Sequence, residues 1–294
     1  MRTARAAGMT GAAIGLVLVS ALLHAAWNFF NKGSADRWAF FVAQGAMTAV
    51  CYLRLAVWAW PADGIDAAGW VWIAASAAAH AGYAVYLLKS YDAGDLSIAY
   101  PLSRTAPILV VGWDLLTARA HLSAMGVFGA LLAGVGAVTL QVPALRRHGG
   151  RAVFREHVTR YALITAVFIA LFTIFDKQGV RSVPPLVFLY LMGLGEFSLI
   201  GWRLGGEVLP RALREARTNA RAVVFTALLG PFSYLFILWV LRTAPASYVL
   251  GLRQTSIVFG VLLGRFVLGE GETAYRLAGA AIITVGSVMI AAGG

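Results

Sequence analysis

Apolar residues fill the chain in runs of about twenty, the length that one helical crossing of a bilayer requires, separated by short polar connections. Ten runs can be placed: 10–31, 38–60, 68–91, 96–117 and 123–142, then 159–179, 184–204, 220–242, 246–268 and 273–292. Only the connections Pro143 to Val158 and Gly205 to Asn219 are long, and the first divides the runs into two sets of five. The pattern predicts an all-α polytopic membrane protein of ten transmembrane helices. Residues 1–142 form one five-helix unit, 143–158 a basic linker and 159–294 a second unit. Arg2 and Arg5 ahead of Gly11 to Leu23 imitate a secretory signal. The apolar stretch continues through Ala25, Ala26, Trp27, Phe29 and Phe30, which is too long for such a signal and reads as the first span.

The two halves read as copies. Setting Ser97 on Ser247 places Leu102 on Leu252, Thr105 on Thr255, Gly129 on Gly279 and Gly136 on Gly286 without a gap. Because five is odd, the second copy enters the membrane in the opposite sense. That predicts inverted repeats about an in-plane pseudo-two-fold axis, the architecture of alternating-access carriers. In the fifth and tenth runs, GALLAGVGAV and LAGAAIITVGS set small residues at spacings that let helix backbones approach. Their partner is either the other half or a second protomer.

Polar positions inside the runs narrow the function. The segment DLSIAYPLSRTAP, Asp95 to Pro107, and its echo PASYVLGLRQTSI, Pro245 to Ile257, each carry an arginine at membrane depth, Arg104 and Arg253. Pro101 and Pro107 weaken the first helix around its arginine, and Gly251 stands where the first copy has Pro101. Charge in a bilayer is costly and marks a functional site, and matching broken helices point to a transporter's binding site. His24, Trp27, Asn28 and Asn31 share one face of the first span, with Lys32 at its end. His80 and Tyr83 share a face of the third span, and Ser233 and Tyr234 lie beside Pro231, which frees a backbone carbonyl in the eighth. With Arg104, Thr105, Arg253, Gln254 and Thr255 these groups are candidates to line one substrate cavity. The span carboxylates Asp114, Asp176 and Glu196 are candidates for gating or coupling, together with Asn31, Lys32 and Lys177. Asp114 is expected to meet an arginine, and Glu196 to meet Arg54 or Arg203. No carboxylate is identified that would hold His24 or His80 charged, which favours a facilitator over a proton-driven carrier.

Composition agrees with a membrane protein: 60% of the 294 residues are hydrophobic, 13% are charged and the mean hydropathy is +0.76. The formal net charge of +11 comes from arginines in short connections and not from a basic stripe with interleaved aromatics, so no nucleic-acid partner is expected. Arg146, Arg147, Arg151 and Arg155 fall on the same side as Arg211, Arg214 and Arg217, which puts these loops in the cytoplasm and both termini outside. The single cysteine, Cys51, lies in an apolar run as a small hydrophobe. No phosphate-binding glycine loop, metal cluster or nucleophile–base pair is spaced for chemistry, so neither an enzyme nor a bound cofactor or metal is expected.

The motifs HAAWNFFNK, LSIAYPLSRTAP, FDKQGVR and LRQTSIVFG together resemble EamA-type members of the drug/metabolite transporter superfamily, over essentially the whole chain. The resemblance implies ten helices in two inverted repeats and a central cavity lined chiefly by the first, third, fourth, sixth, eighth and ninth spans. It also implies export of amino acids, metabolites or drugs, commonly as a uniporter or driven by protons. A cell (inner or plasma) membrane is the expected location, with a monomer or homodimer as the expected state. Relatives often carry an acidic residue where this chain has Gln254, and they keep both termini inside, against the charge distribution here. The arginine pair adds an expected substrate with a carboxylate or other anionic group. A drug exporter and, further off, a non-transporting scaffold or receptor are the alternatives.

Overall fold

The computed structural model describes residues 9–31, 36–93, 103–117, 122–139, 142, 157–268 and 274–293, and every element among them is helical. In chain order these are α1 (Gly11–Asn31), α2 (Arg37–Trp58), α3 (Ala67–Ala93), α4 (Ala106–Thr117), α5 (Ala124–Thr139), α6 (His157–Ser182), α7 (Pro185–Leu204), α8 (Val208–Thr218), α9 (Ala220–Leu241), α10 (Ala246–Arg253), α11 (Thr255–Leu268) and α12 (Ala274–Gly293). Six apolar stretches are long enough to cross a membrane: Arg37–Trp58, Ala67–Ser90, Thr159–Ser182, Pro185–Leu204, Ala220–Leu241 and Ala246–Leu263. Four shorter ones are Gly11–Trp27, Ala106–Thr117, Ala124–Thr139 and Leu277–Gly293. The bundle is therefore a multi-pass membrane protein, and its outer face is apolar. Val50 and Leu116 are 73% and 87% exposed, which suits lipid and not water. Trp58 and Trp202, at the ends of α2 and α7, are both largely exposed, which suits side chains at a membrane interface.

One feature follows the sequence reading and one departs from it. The ninth run is a broken helix as expected, with the break at Gln254 between α10 and α11. The connection Gly205 to Asn219, read as a loop, contains α8, which begins after Gly205 turns the chain at φ 72°, a value glycine tolerates best. The first break, at Pro101, lies outside the described residues, although Ser103 to Thr105 turn immediately ahead of α4.

The small-residue helices α5 and α12 pack against each other, so the partner left open by the sequence is the other half of the same chain. A Cβ added at Gly129 would lie 2.6 Å from the Gly286 carbonyl oxygen, and one added at Gly286 would lie 2.6 Å from that of Gly129. Gly136 meets the Gly279 carbonyl in the same way, at 2.9 Å. Hydroxyls lock other pairs. Ser20 on α1 donates to the Ser233 carbonyl of α9 at 2.7 Å, and Ser233 donates back to the Ser20 carbonyl at 2.9 Å.

Proline at 231 removes the N–H that would bond the carbonyl of Ala227 one turn earlier. Thr48 on α2 supplies the missing donor at 3.1 Å, and one turn along Tyr52 donates to the Leu228 carbonyl at 2.7 Å. Thr48→Val keeps the shape and deletes the donor, and should cost about 1–3 kcal/mol for the orphaned carbonyl. Pro231→Ala restores the backbone donor and should recover most of that loss, read as thermal midpoints of the detergent-purified variants.

At one face Arg211 of α8 grips Asp36 with both arms of its fork, Nε to Oδ2 at 2.7 Å and Nη2 to Oδ1 at 2.8 Å, while Asp36 also accepts the N–H of Ala39 and so caps α2. The Arg211 hydrogen bonds hold the Asp36 carboxyl below its ordinary value of 3.8. A depressed folded-state value contributes attachment above the unfolded pKa and loses it as pH falls through the folded one. Hydrogen exchange in Val208–Thr218 should therefore accelerate below about pH 4, and Asp36→Asn should remove that pH dependence.

Candidate functional site

The break at Gln254 sits at the wall of a cavity of about 190 Å³ lined by helices from both halves. Gln254 donates from Nε2 to the carbonyl of Arg104 at 3.2 Å, so the break between α10 and α11 meets the turn ahead of α4. Arg104, Arg253 and Gln254 all line the cavity, and α4 and α11 begin just beyond them. Two guanidinium groups beside two helix starts make this wall favourable to an anion.

His24 and Trp27 come from α1, one turn apart, with ring centroids 5.5 Å apart and planes within 11°. His80 and Tyr83 come from the same face of α3. His80 stacks on Phe172 of α6 at 4.0 Å and meets the Tyr234 ring edge-on at 5.6 Å. Tyr234 reaches in from α9, three residues after the helix-bending Pro231.

Behind this lining lies a fully buried carboxylate. Asp176 accepts hydrogen bonds from the hydroxyls of Ser76 and Tyr234, and His80 Nε2 stands 3.3 Å from its Oδ2. The Arg253 guanidinium lies over the ring of the same Tyr234, 4.9 Å from its centroid, a cation–π contact. One cluster thus joins α3, α6, α9 and α10, with Tyr234 as the link between the cavity arginine and the hidden aspartate.

The sequence-predicted residues fall into three groups. His24, Trp27, His80, Tyr83, Arg104, Tyr234, Arg253, Gln254 and Glu196 line the cavity together. Thr105 and Thr255 do not, and the Thr255 hydroxyl bonds the Leu252 carbonyl at 2.8 Å. The side chains of Asn28 and Asn31, and Lys32 entirely, lie outside the described residues.

The carboxylates need correction. Asp176 was expected at a span end as a gate, but α6 continues to Ser182 and Asp176 is internal. It also supplies the carboxylate beside His80 that the sequence reading did not find. Among the described residues Asp114 forms no ion pair with an arginine: its Oδ2 accepts the N–H of Ser247 at 2.8 Å, satisfying a free donor at the start of α10. Lys177 donates to the carbonyls of Leu241 and Ala244 at the end of α9. A negative and a positive side chain thus each cap a helix terminus of opposite sign, on either side of the α9–α10 elbow. Among the described residues Glu196 pairs with neither Arg54 nor Arg203, and its carboxylate faces the cavity.

Two walls escaped the sequence reading. Gln44, Thr48 and Tyr52 of α2, and Tyr190 and Phe197 of α7, also line the cavity. The signal was present, since 44, 48 and 52 recur every four residues as a polar stripe on an otherwise apolar helix. Gln44 Oε1 and Trp27 Nε1 are buried at this cavity without a hydrogen-bond partner, one acceptor and one donor. Buried polar atoms are rarely left so, and both suit a bound molecule.

The described helices form a membrane bundle with a small charged cavity lined from both halves. Residues 160–292 match the model of the EamA-like transporter family, so the second half of the chain is similar to that family. No curated protein matches the sequence. A solved structure titled only "Crystal structure of protein" is similar over 95% of this chain and 97% of its own, with a TM-score of 0.71 at 16% identity, a likeness of fold alone. The family is one of transporters and not of enzymes.

Proposed function

We propose that the protein carries a small metabolite with a carboxylate or comparable anionic group across a cell or inner membrane by alternating access. The observation that carries this reading is the meeting of Arg104, Arg253 and the helix break at Gln254 at one cavity. At about 190 Å³ the cavity falls below the roughly 300–1,000 Å³ of drug-sized sites, which favours a metabolite over a drug. Glu196 and the unpartnered Gln44 oxygen add a pole suited to an ammonium group, so amino acids head the substrates to test. Export is the direction that the family resemblance implies.

The fold we assign is ten spans in two inverted units, 1–142 and 159–294, joined by 143–158. Helix pairings support it by recurring in equivalent sets: α3 on α6 matches α1 on α9, and α7 on α3 matches α2 on α9. Across a two-fold axis residue i meets j and the copy of j meets the copy of i. With Gly129 equivalent to Gly279 and Gly136 to Gly286, the contacts Gly129–Gly286 and Gly136–Gly279 have that form. Arg104 and Gln254, equivalent in the same alignment, touch each other. With the small-residue stripe used inside one chain, a monomer suffices.

The test is thermal stabilisation by a panel of amino acids, organic acids and phosphonates, compared with Arg104→Lys and Arg253→Lys. A small carboxylate should stabilise the wild type and lose at least about tenfold in apparent affinity in either variant, because lysine keeps the charge and loses the fork. Equal stabilisation in all three proteins would refute the arginine site.

Proton coupling is a second reading, favoured by the His80–Asp176 pair. It predicts accumulation that follows an imposed pH gradient in liposomes and stops in His80→Gln. A facilitator, the simpler reading, shows counterflow without such accumulation.

A further inference from the structure

The helix α8 is not used by the cavity, and its two faces differ. It is eleven residues long and connects the end of α7 to the start of α9, so it lies along one face of the bundle. Val208 and Ala212 are buried, and Ala212 packs with Phe40 and Ala43 of α2 and Val223 of α9. Leu209 and Leu213, four residues apart on the adjoining flank, are 59% and 52% exposed. Beyond them Arg214 and Arg217 are exposed on α8, and Arg221 is exposed at the start of α9. Among the described residues none of these three arginines forms an ion pair at contact distance; the one that does on this helix is Arg211, with Asp36.

Exposed leucines on one flank and free guanidinium groups on the other are the layout of a helix lying in a bilayer interface, apolar flank down and cations at headgroup level. Trp202, 84% exposed two residues before α7 ends, marks the same depth. A solvated basic face would need only the arginines. The exposed leucines and the neighbouring tryptophan require an apolar phase beside the charge, and that combination selects a lipid over a soluble anion.

We propose that α8 is an interfacial helix that binds anionic phospholipid headgroups through Arg214, Arg217 and Arg221, seated by Leu209 and Leu213. The partner is recognised by charge and not by a shaped pocket, so any anionic headgroup of the basic leaflet serves. The Arg211–Asp36 clamp fixes the helix against α2 and leaves the other three arginines for lipid.

Full-length protein reconstituted in equimolar phosphatidylglycerol and phosphatidylcholine, then released for native mass spectrometry, reads the retained lipid directly. The wild type should retain phosphatidylglycerol in preference, and raising the salt should weaken that preference. R214Q/R217Q/R221Q should lose about tenfold or more of the enrichment, at roughly a kilocalorie per mole for each basic residue near the surface. R214K/R217K/R221K, which keeps the charge, should retain it and reports whether changes at these positions are tolerated. No enrichment in the wild type, enrichment insensitive to salt, or enrichment unchanged in the glutamine variant would overturn the proposal. None of these readouts involves substrate, so they stand whether or not the cavity assignment does.

Discussion

Asp176→Asn should reduce flux by at least about a hundredfold and lower the thermal midpoint of the purified protein. The wild-type carboxylate takes two hydroxyl hydrogen bonds, from Ser76 and Tyr234, and faces His80 with no exposure to solvent. Asparagine keeps the volume, but one of its two heads is a donor, so one of the two hydroxyls faces a donor instead of an acceptor. Breaking a buried pair by changing one partner costs about 3–5 kcal/mol, because the other partner stays buried without compensation. Flux falls as well as stability, because Tyr234 orients the cavity arginine through its ring. Tyr234→Phe separates the two effects. It deletes a single hydroxyl donor, at about 1 kcal/mol of stability, while keeping the ring under Arg253.

The second large effect is expected at Gly286. A Cβ there would lie 2.6 Å from the Gly129 carbonyl oxygen and 2.8 Å from the Ala133 nitrogen, and backbone cannot move aside as a flexible side chain can. Gly286→Leu should exceed the roughly 1–3 kcal/mol of ordinary overpacking and separate α5 from α12. Loss of the monodisperse peak in detergent size-exclusion is the readout. Gly201→Ala on α7 is the matched control, since nothing lies within 4 Å of the added carbon. It should be neutral or stabilising by about 0.5–1 kcal/mol, the usual helical gain of alanine over glycine.

What could be read from sequence followed from the cost of polarity in lipid. Arg104, Arg253 and Gln254 stand out because nothing apolar explains them, and the structure brings all three to one cavity. The glycines of α5 and α12 were legible as a contact surface, though only the fold could say that both halves of the stripe belong to one chain. Asp176 was misread because its meaning lies in its partners. Ser76 is 100 residues away and Tyr234 is 58, so no local pattern links them. The partners of Asp114 and Lys177 were hidden for a related reason, since each meets the terminus of another helix that no local pattern reveals. Helix α8 was legible in principle: its leucines and arginines recur at three- and four-residue spacing, but its low hydropathy gave it the appearance of a loop.

The central claim is that solute crosses through the cavity beside the helix break at Gln254 and is held there by Arg253. Counterflow in proteoliposomes tests it most directly, using the labelled carboxylate that most stabilises the wild-type protein. Wild-type vesicles preloaded with unlabelled compound should take up label transiently, and vesicles bearing folded Arg253→Lys should take up at least about tenfold less. Wild-type vesicles that show no counterflow, or an Arg253→Lys variant that matches them, would contradict the account.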